Sequence, residues 1–202
     1  MNDLERVVGP VSRETLARLE TFAGLLAEEN QRQNLIGQTT EREMWTRHIL
    51  DSAQLVPLVP RNSGSLVDIG SGAGLPGVVI SCFNPCPVTL LEPRRLRAEF
   101  LSRVVDTLGL SAVVACAKAG TLTGQYDVIS ARAVASLDRL LGLAQHLSHD
   151  RTTWILPKGR NAKSELEQAS RNWHCHVEAV PSRTSPESTI FVITNVKAKR
   201  RS

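Results

Sequence analysis

A glycine-rich segment at residues 66–77 carries the residue types that point most directly to chemistry. It reads Leu-Val-Asp-Ile-Gly-Ser-Gly-Ala-Gly-Leu-Pro-Gly. A short apolar run that carries one acid, Asp68, breaks into Gly70, Gly72 and Gly74. This pattern predicts a strand followed by a tight turn, with glycine where the backbone must bend or a ligand must approach closely.

The spacing of these glycines separates two kinds of nucleotide cofactor. The dinucleotide fingerprint G-x-G-x-x-G requires glycine at position 75, where the chain has Leu75. A nicotinamide or flavin site is therefore disfavoured. An acid two residues before G-x-G-x-G instead resembles the first motif of Rossmann-type methyltransferases, which bind S-adenosyl-L-methionine (SAM) and release S-adenosyl-L-homocysteine. We expect Asp68, the three glycines and Leu75 to form part of that cofactor site.

Glu92 is a second candidate cofactor residue. It ends a predicted strand at 87–91, about 20 residues after Gly70, and in doubly wound sheets an acid there accepts hydrogen bonds from ribose hydroxyls. SAM also contains a ribose. The alternative is an acid at the N-terminus of the helix that starts at Arg94, a position worth a few tenths to ~1 kcal/mol. The spacing favours the ribose role.

The turn after the next predicted strand is where this fold places the adenine ring. It reads Ala117-Lys118-Ala119-Gly120, and no acid occurs between positions 111 and 126 to accept from the adenine amino group. We therefore expect the backbone of Ala119 and Gly120 to hold the adenine.

Arg132 follows the predicted fourth strand, at the edge where the transferred methyl group should point. Amino-group methyltransferases commonly place Asn/Asp-Pro-Pro-Tyr there, and carbon-5 pyrimidine enzymes a Pro-Cys nucleophile; neither occurs. Guanine N7 carries a lone pair and no proton, so it attacks a sulfonium methyl without a general base, and catalysis depends on alignment. An arginine without a base suits this reaction. The alternative is a surface ion-pair partner, worth little.

The elements that position these residues follow an alternating pattern. Apolar strands alternate with helical stretches from residue 65 onward, which predicts a parallel sheet wrapped by helices, and the segments 173–180 and 189–196 predict a closing antiparallel pair. The expected fold is α/β: a Rossmann-like SAM-dependent methyltransferase fold with a mostly parallel seven-stranded sheet and helices on both faces. The alternating segments are 65–69, 76–83, 87–91, 94–108, 112–115, 126–130, 136–147 and 152–156.

Two helices are predicted before this alternation begins. The first covers 12–33 with Ser12 as its N-cap, and the second opens at the capping-box pattern of residues 40–43 and continues to about Gln54. The expected domains are an N-terminal helical subdomain at 1–60, a SAM-binding domain at 61–196 and a disordered basic tail at 197–202.

Composition limits the class of protein. The chain has 202 residues, 42% hydrophobic and 22% charged, which is ordinary for a soluble globular protein. No run approaches the 18 apolar residues of a membrane span, and the N-terminus lacks the apolar core of a secretory signal. These features predict a cytoplasmic protein without a membrane partner.

Charge is distributed unevenly along the chain. Residues 1–60 hold 6 Lys and Arg against 9 Asp and Glu, whereas residues 61–202 hold 18 against 11. A basic charge in the region that carries the candidate site is expected if the substrate is a polyanion. A solvated, arginine-rich surface would give the same numbers.

The cysteines and histidines do not predict a metal site. Cys82 and Cys86 are near each other, but Cys116 and Cys175 stand alone, and nothing matches zinc-binding spacing. In His174-Cys175-His176, alternation typical of a strand places both histidines on one face and the cysteine on the other.

Further segments resemble one family closely, the ribosomal RNA small subunit methyltransferase G or glucose-inhibited division protein B family. The resemblance runs from about Leu16 to about Val196, and the ordered combination of motifs is specific, although the glycine loop alone is not. The motifs are Asn34-Leu-Ile36, Arg47-His-Ile-Leu-Asp-Ser52, Asp68 to Gly77, Ser130-Ala-Arg-Ala-Val-Ala-Ser-Leu137 and Leu156-Pro-Lys-Gly159.

The resemblance implies a reaction and a set of partners. The activity would be SAM-dependent N7 methylation of guanosine 527 in 16S ribosomal RNA, within the small ribosomal subunit or an assembly intermediate. Separately, no spare apolar stripe in the sequence compels a dimer, so we expect a monomer. The residues implied to contact SAM are Gly70, Leu75, Ala119, Gly120 and Arg132. The family commonly has glutamate at the position of Gly120.

Four basic residues are candidates for RNA contacts. Lys158 and Arg160, after the predicted fifth strand, could bind phosphate, and Arg94 and Arg95 occupy positions where the family often has a lysine pair. Each could equally be a solvated side chain. A SAM methyltransferase with another substrate, or a non-catalytic RNA-binding assembly factor, remains an alternative for the whole chain.

One helical pair leaves two interpretations open. Arg47 and Asp51 have the spacing of neighbours on one helix face. They predict either a helical ion pair of roughly 0.2–0.5 kcal/mol or, together with His48, a polar lid over the SAM pocket.

Overall fold

A seven-stranded sheet forms the centre of the protein. A computed structural model describes residues 3–37 and 43–199. The strand order is β3-β2-β1-β4-β5-β7-β6. The first five strands pair in parallel, and β7 runs antiparallel to both β5 and β6. The strands are β1 Leu66–Ile69, β2 Val88–Leu91, β3 Ala112–Ala115, β4 Tyr126–Ala131, β5 Ser148–Lys158, β6 Trp173–Pro181 and β7 Thr189–Ala198.

Helices cover both faces of this sheet. Short 3-10 turns occur at Val56–Leu58, Ala119–Thr121 and Gln145–Leu147. Together with the sheet, the helices confirm the predicted α/β architecture. The helices are α1 Asp3–Val8, α2 Arg13–Gln33, the π-type turn α3 Trp45–Leu50, α4 Asp51–Ala53, α5 Gly77–Cys82, α6 Arg95–Leu108, α7 Leu137–Ala144 and α8 Ala162–Asn172.

The core consists of two hydrophobic clusters, one on each face of the sheet. Neighbouring residues of a strand point to opposite faces, and β1 accordingly sends Leu66 to one cluster and Val67 to the other. The first cluster also contains buried residues of α2, α5 and α6, while the second contains those of α7 and α8. The N-terminal helices thus pack on the same face as the helices that follow β1 and β2.

Helix α2 forms where its apolar spacing predicts it. The Ser12 hydroxyl accepts a hydrogen bond from the Thr15 backbone N–H at 3.0 Å, which caps the helix start. The helix ends at Asn34, whose φ of 50° is left-handed. Leu19, Phe22 and Leu26 are fully buried on one side. Residues 40–42 of the predicted capping box lie outside the described residues.

Several boundaries differ from the predictions, and helix α1, Asp3–Val8, lies outside the predicted elements. Helix α8 lies outside them because only Ala162 and Ala169 of it are buried, so its apolar pattern is weak. Strand β5 begins at Ser148 instead of 152, since its first residues are exposed or half-buried. Strand β7 continues to Ala198, two residues into the segment expected to be a disordered tail; residues 200–202 lie outside the described part of the chain.

Strand register aligns the chain positions that carry the candidate site. Ile69 of β1 pairs with Leu91 of β2 and with Ala131 of β4, and Leu91 pairs with Ala115 of β3. The segments after these residues therefore leave the same edge of the sheet. Between β1 and β4 the strand order reverses, and in open α/β sheets ligands bind outside the carboxyl ends of the strands at such a switch point.

Candidate functional site

The glycine loop after β1 has a backbone that favours glycine at three positions. Gly70, Gly72 and Gly74 have φ angles of 68°, 53° and 88°. A Cβ at Gly70 would lie 2.8 Å from Cγ2 of Val134, and one at Gly74 would lie 2.8 Å from Cγ2 of Val78. Left-handed backbone and close packing thus explain these glycines without reference to a ligand.

Gly72 differs from its two neighbours because a Cβ there would make only ordinary van der Waals contacts. A Cβ there would come no closer than 3.6 Å to another atom, and the nearest side chains are those of Arg97 and Glu92. Gly72 itself is buried, and its N–H donates to the Glu92 carboxylate, so the loop and this acid are held together where a cofactor would bind.

Asp68 lies beneath this loop and is almost fully buried, with 1% exposure. Its Oδ1 accepts a hydrogen bond from the Ser130 hydroxyl at 2.8 Å, and its Oδ2 accepts one from the Gly77 N–H at 3.1 Å. Burial raises the pKa of Asp68 to about 6, although these hydrogen bonds act in the opposite direction. The carboxyl group joins β1, β4 and the start of α5, and so positions the loop.

Glu92 follows β2 and is also buried, with 3% exposure. Its Oε2 accepts from the Gly72 N–H at 2.9 Å, and its Oε1 accepts from the Arg94 N–H at 2.8 Å. The second bond is the contact expected of an acid at a helix N-terminus. The first holds the carboxylate against the glycine loop, where a ribose contact would also place it.

The remaining predicted cofactor positions differ in exposure. Ala119 is buried at the start of a 3-10 turn, while Gly120 is exposed and a Cβ there would meet nothing within 4 Å. The Leu75 side chain lies in the hydrophobic core with 4% exposure. Leu75 could therefore reach a cofactor through its backbone but not through its side chain.

Arg132 lies one residue beyond β4, next to the glycine loop. Its Nη1 donates to Asp51 Oδ2 at 3.1 Å, and its Nη2 donates to His48 Nδ1 at 3.3 Å. Burial, followed by the positive charge of Arg132, lowers the pKa of His48 to about 4. His48 is therefore a neutral imidazole near pH 7, with Nδ1 as the acceptor. The next residue, Ala133, has a φ of 56°, a strained backbone conformation for a residue other than glycine.

Asp51 pairs with Arg132 and not with Arg47. Arg47 instead forms an ion pair with Glu43 on its own segment. The other Asp51 oxygen, Oδ1, accepts from the Thr184 hydroxyl at 2.6 Å and from Gln54 Nε2 at 2.9 Å. The helical ion pair considered for Arg47 and Asp51 is absent from the ion pairs of the described residues, and the carboxylate connects three separate parts of the fold.

A cavity of about 260 Å³ opens beside this ion pair. Arg132, Asp51 and Lys158 line it, together with Glu165 of α8 and Thr189 of β7. The Lys158 ammonium donates to Glu165 Oε2 at 2.9 Å and to the Ala135 carbonyl at 3.2 Å, and its side chain is 9% exposed. Lys158 thus faces the cavity and is not the exposed loop lysine considered from the sequence.

The three predicted arginines outside the cavity are exposed on the same edge of the sheet. Arg160, just beyond β5, pairs with Glu187 at 2.7 Å. Arg94 precedes α6, and Arg95 in its first turn pairs with Glu99 at 2.8 Å. These exposed ion pairs contribute little to stability, so the arginines can exchange carboxylates for phosphates at low cost.

Residues 174–176 behave as the strand pattern predicts. His174 and His176 are exposed on β6, and Cys175 is half-buried and free. Within residues 3–37 and 43–199, no group of three or more His, Cys, Asp or Glu side chains could hold a metal ion. No helix in those ranges has the length and apolar character to cross a membrane.

Sequence inspection missed two side chains that shape the cavity. Gln54 ends the second N-terminal helix, and its amide contacts Asp51, Ser182 and Thr184. Glu165 belongs to a helix whose exposed charges resemble any solvated surface. Neither residue lies in a recognisable motif, and most of their partners belong to other elements of the fold.

Comparison with known proteins gives consistent results. The sequence profile described as rRNA small subunit methyltransferase G matches residues 15–190. The ribosomal RNA small subunit methyltransferase G of Rhizorhabdus wittichii is 46% identical, with 96% of this chain and 91% of the relative covered. The protein of the same name from Zymomonas mobilis is 39% identical, with 98% and 93% covered.

Solved structures share the fold at low sequence identity. A ribosomal protein L11 methylase from Lactobacillus delbrueckii has a TM-score of 0.61 at 11% identity, covering 74% of this chain and 78% of its own. A TehB-like SAM-dependent methyltransferase from Corynebacterium glutamicum has a TM-score of 0.57 at 13% identity, covering 89% and 99%. The predicted Rossmann-like methyltransferase fold is thereby confirmed, and SAM is the cofactor that the family and the fold support.

Proposed function

The chain belongs to the rRNA small subunit methyltransferase G family, and on that premise we propose that it transfers a methyl group from SAM to N7 of a guanosine in 16S ribosomal RNA. By the resemblance, this nucleotide is guanosine 527. The observation that carries the proposal is the arrangement around Arg132. The arginine adjoins the glycine loop, and both of its polar neighbours, His48 and Asp51, are engaged with it.

This arrangement suits an acceptor that needs no deprotonation. Both Asp51 oxygens accept hydrogen bonds, and His48 directs Nδ1 to the guanidinium. Neither group is poised to remove a proton from an exocyclic amine. When bound, SAM supplies an electrophilic methyl group, which the N7 lone pair can attack directly. The task left to the protein is alignment of the reactants.

We assign the cofactor site to the carboxyl edge of β1, β2 and β3. Glu92 would accept hydrogen bonds from the ribose hydroxyls, and Ala119 and Gly120 would contact adenine. Asp68 would act from below by holding Gly77 and β4. The loop residues of this proposed site are Gly70, Gly72, Gly74 and Leu75.

We assign the RNA surface to the basic residues around the same edge. Arg94, Arg95 and Arg160 are exposed there and would bind phosphate. Lys158 would act inside the cavity, because Glu165 and the Ala135 carbonyl already hold its ammonium group. Each exposed arginine adds a salt-sensitive contact to RNA binding.

The cellular setting follows from the substrate. We propose a cytoplasmic monomer that acts on the small ribosomal subunit or an assembly intermediate. The segment 1–60 would serve as a helical subdomain that closes the site through the contact between Asp51 and Arg132.

Two measurements test this function. Titration calorimetry with S-adenosylhomocysteine should show binding by the wild-type protein, at least about tenfold weaker binding by Gly72→Asp, and unchanged binding by the control Gly24→Asp on the exposed side of α2. Small subunits that lack the modification should then acquire 7-methylguanosine at one position, mapped by chemical cleavage and reverse transcription. Methylation of another atom, or no heat of binding, would refute the proposal.

A further inference from the structure

Glu165 presents an unused hydrogen-bond acceptor to the cavity beside Arg132. Its Oε2 accepts from the Leu137 N–H at 2.8 Å and from the Lys158 ammonium at 2.9 Å. Among the described residues, its Oε1 accepts no hydrogen bond. The side chain is 24% exposed and lines the cavity. One oxygen is therefore fixed by the protein, while the other has its lone pairs available.

Both oxygens of the other carboxylate of the cavity already accept hydrogen bonds from the protein. Asp51 Oδ2 accepts from Arg132, and Asp51 Oδ1 accepts from Thr184 and Gln54. Glu165 thus has one oxygen that accepts no hydrogen bond from the described residues, whereas both oxygens of Asp51 accept at least one. A ligand with N–H donors finds its carboxylate acceptor at Glu165.

From this difference we propose that Glu165 recognises the N1–H and N2 amino edge of the target guanine; the inference rests on the proposed function. A guanine base presents N–H donors on that edge and the acceptors N7 and O6 on the other side. A base held by Glu165 of α8 directs N7 away from that helix, toward the cavity wall formed by Arg132 and Ala133.

The charge of Glu165 also suits the product of the reaction. Methylation at N7 places a positive charge on the base, and a carboxylate at its N1 and N2 edge forms charge-assisted hydrogen bonds that strengthen as this charge develops. Adenine offers a lone pair at N1 and no amino group at carbon 2, so it would place an acceptor against the carboxylate. Glu165 would thereby favour guanine over adenine.

The size of the cavity agrees with a single base. Its volume of about 260 Å³ is below the ~300–1,000 Å³ of sites for drug-sized ligands. The N1 and N2 edge is also the edge that pairs with cytosine, so the guanine must be unpaired when Glu165 binds it. Enzymes that modify bases commonly take the nucleotide out of its stack in this way.

The test compares guanosine with inosine at the target position. Inosine keeps N7, O6 and N1–H but lacks the N2 amino group. Small subunits are reconstituted with 16S RNA that carries either nucleoside at this position, made by ligation of a synthetic segment. For the wild-type protein we expect kcat/KM to fall about tenfold on inosine, since a site built to accept from an N–H group discriminates against its loss.

Glu165→Gln should lower the methyl-transfer activity and remove the discrimination between guanosine and inosine. We expect kcat/KM on guanosine to fall at least about tenfold and the guanosine-to-inosine ratio to approach one, while the affinity for S-adenosylhomocysteine stays unchanged. Glu167→Gln, on the exposed side of the same helix, is the matched control and should retain both wild-type values.

The result that would refute the role of Glu165 in guanine recognition differs from the result that would refute the proposed methyltransferase function. A Glu165→Gln protein that keeps the wild-type ratio, or that loses affinity for S-adenosylhomocysteine together with thermal stability, would refute the recognition role and assign Glu165 a structural one. A wild-type protein that methylates no guanine N7 would refute the proposed function instead.

Discussion

Arg132 and Asp51 are 81 positions apart in the chain, yet they form a half-buried ion pair with an Nη1–Oδ2 distance of 3.1 Å. The pair joins the end of β4 to the N-terminal helical segment at the point where the sheet order reverses. The N-terminal helical segment therefore contributes polar side chains to the wall of the cavity as well as apolar side chains to the hydrophobic core.

Replacing Arg132 with alanine should abolish most methyl transfer while leaving the fold intact. The guanidinium orients His48 and Asp51, and because both side chains of the ion pair are only 20% exposed, its loss should lower the free energy of unfolding by roughly 1–3 kcal/mol. We expect kcat/KM on small subunits to fall at least about 100-fold, and the circular dichroism spectrum to be unchanged. Arg139→Ala, an exposed arginine on α7, is the control. Full activity of Arg132→Ala would exclude this role.

A single added methyl group should destabilise the protein at Gly77 and have almost no effect on stability at Gly120. A Cβ at Gly77 would lie 2.5 Å from Leu90 Cδ2 and 2.6 Å from Asp68 Oδ2, whereas one at Gly120 would meet nothing within 4 Å. Gly77→Ala should lower the free energy of unfolding by roughly 1–3 kcal/mol because it overpacks the core. Gly120→Ala should change it by less than about 0.5 kcal/mol. Urea unfolding measures both, and equal effects would contradict the packing described.

Asp68 should give the protein a specific pH dependence of stability. Its carboxyl group has an ordinary pKa of 3.8, and burial raises the pKa to about 6 in the folded state. The stabilisation of the protonated form is therefore fully present below pH 3.8 and is lost as the pH rises through about 6.

The variant Asp68→Asn isolates this effect because an amide does not ionise. Relative to this variant, the free energy of unfolding of the wild-type protein should fall between pH 4 and pH 7, by at most roughly 3 kcal/mol since one pKa unit corresponds to about 1.4 kcal/mol. Urea titrations of both proteins across this range measure the difference. A difference that is independent of pH would show that the pKa of Asp68 is not raised.

His48 should remain neutral over the whole range in which an ordinary histidine titrates. Burial and the adjacent Arg132 lower its pKa from 6.5 to about 4. The depressed pKa means that its contribution to stability is present above pH 6.5 and is lost as the pH falls through about 4.

Proton NMR can follow the His48 imidazole directly, with His48→Asn used to assign the signal. The resonance should titrate near pH 4 in the wild-type protein. In Arg132→Ala the pKa should move up toward 6.5, because one of the two main causes is removed. A wild-type titration near 6.5 would mean that His48 is solvated and not packed against Arg132.

Local patterns were sufficient to predict the strands, most helices and the glycine loop. Strand β1 and its loop are recognisable because apolar residues and glycine have strong local preferences. The same holds for Ser12, whose capping bond spans only three residues. Helices α1 and α8 and the ends of β5 and β7 were missed because these segments have few buried apolar residues and so carry little hydrophobic signal.

The sequence by itself therefore determined the fold class, the family resemblance and the edge of the sheet where Glu92 and Arg132 meet the glycine loop. Only the tertiary structure decided which polar groups pair there: Asp51 with Arg132, and Lys158 with Glu165. Secondary structure follows from interactions between residues near in the chain. These ion pairs join different elements, β4 with the N-terminal helical segment and the end of β5 with α8, and so depend on tertiary packing that no local pattern encodes.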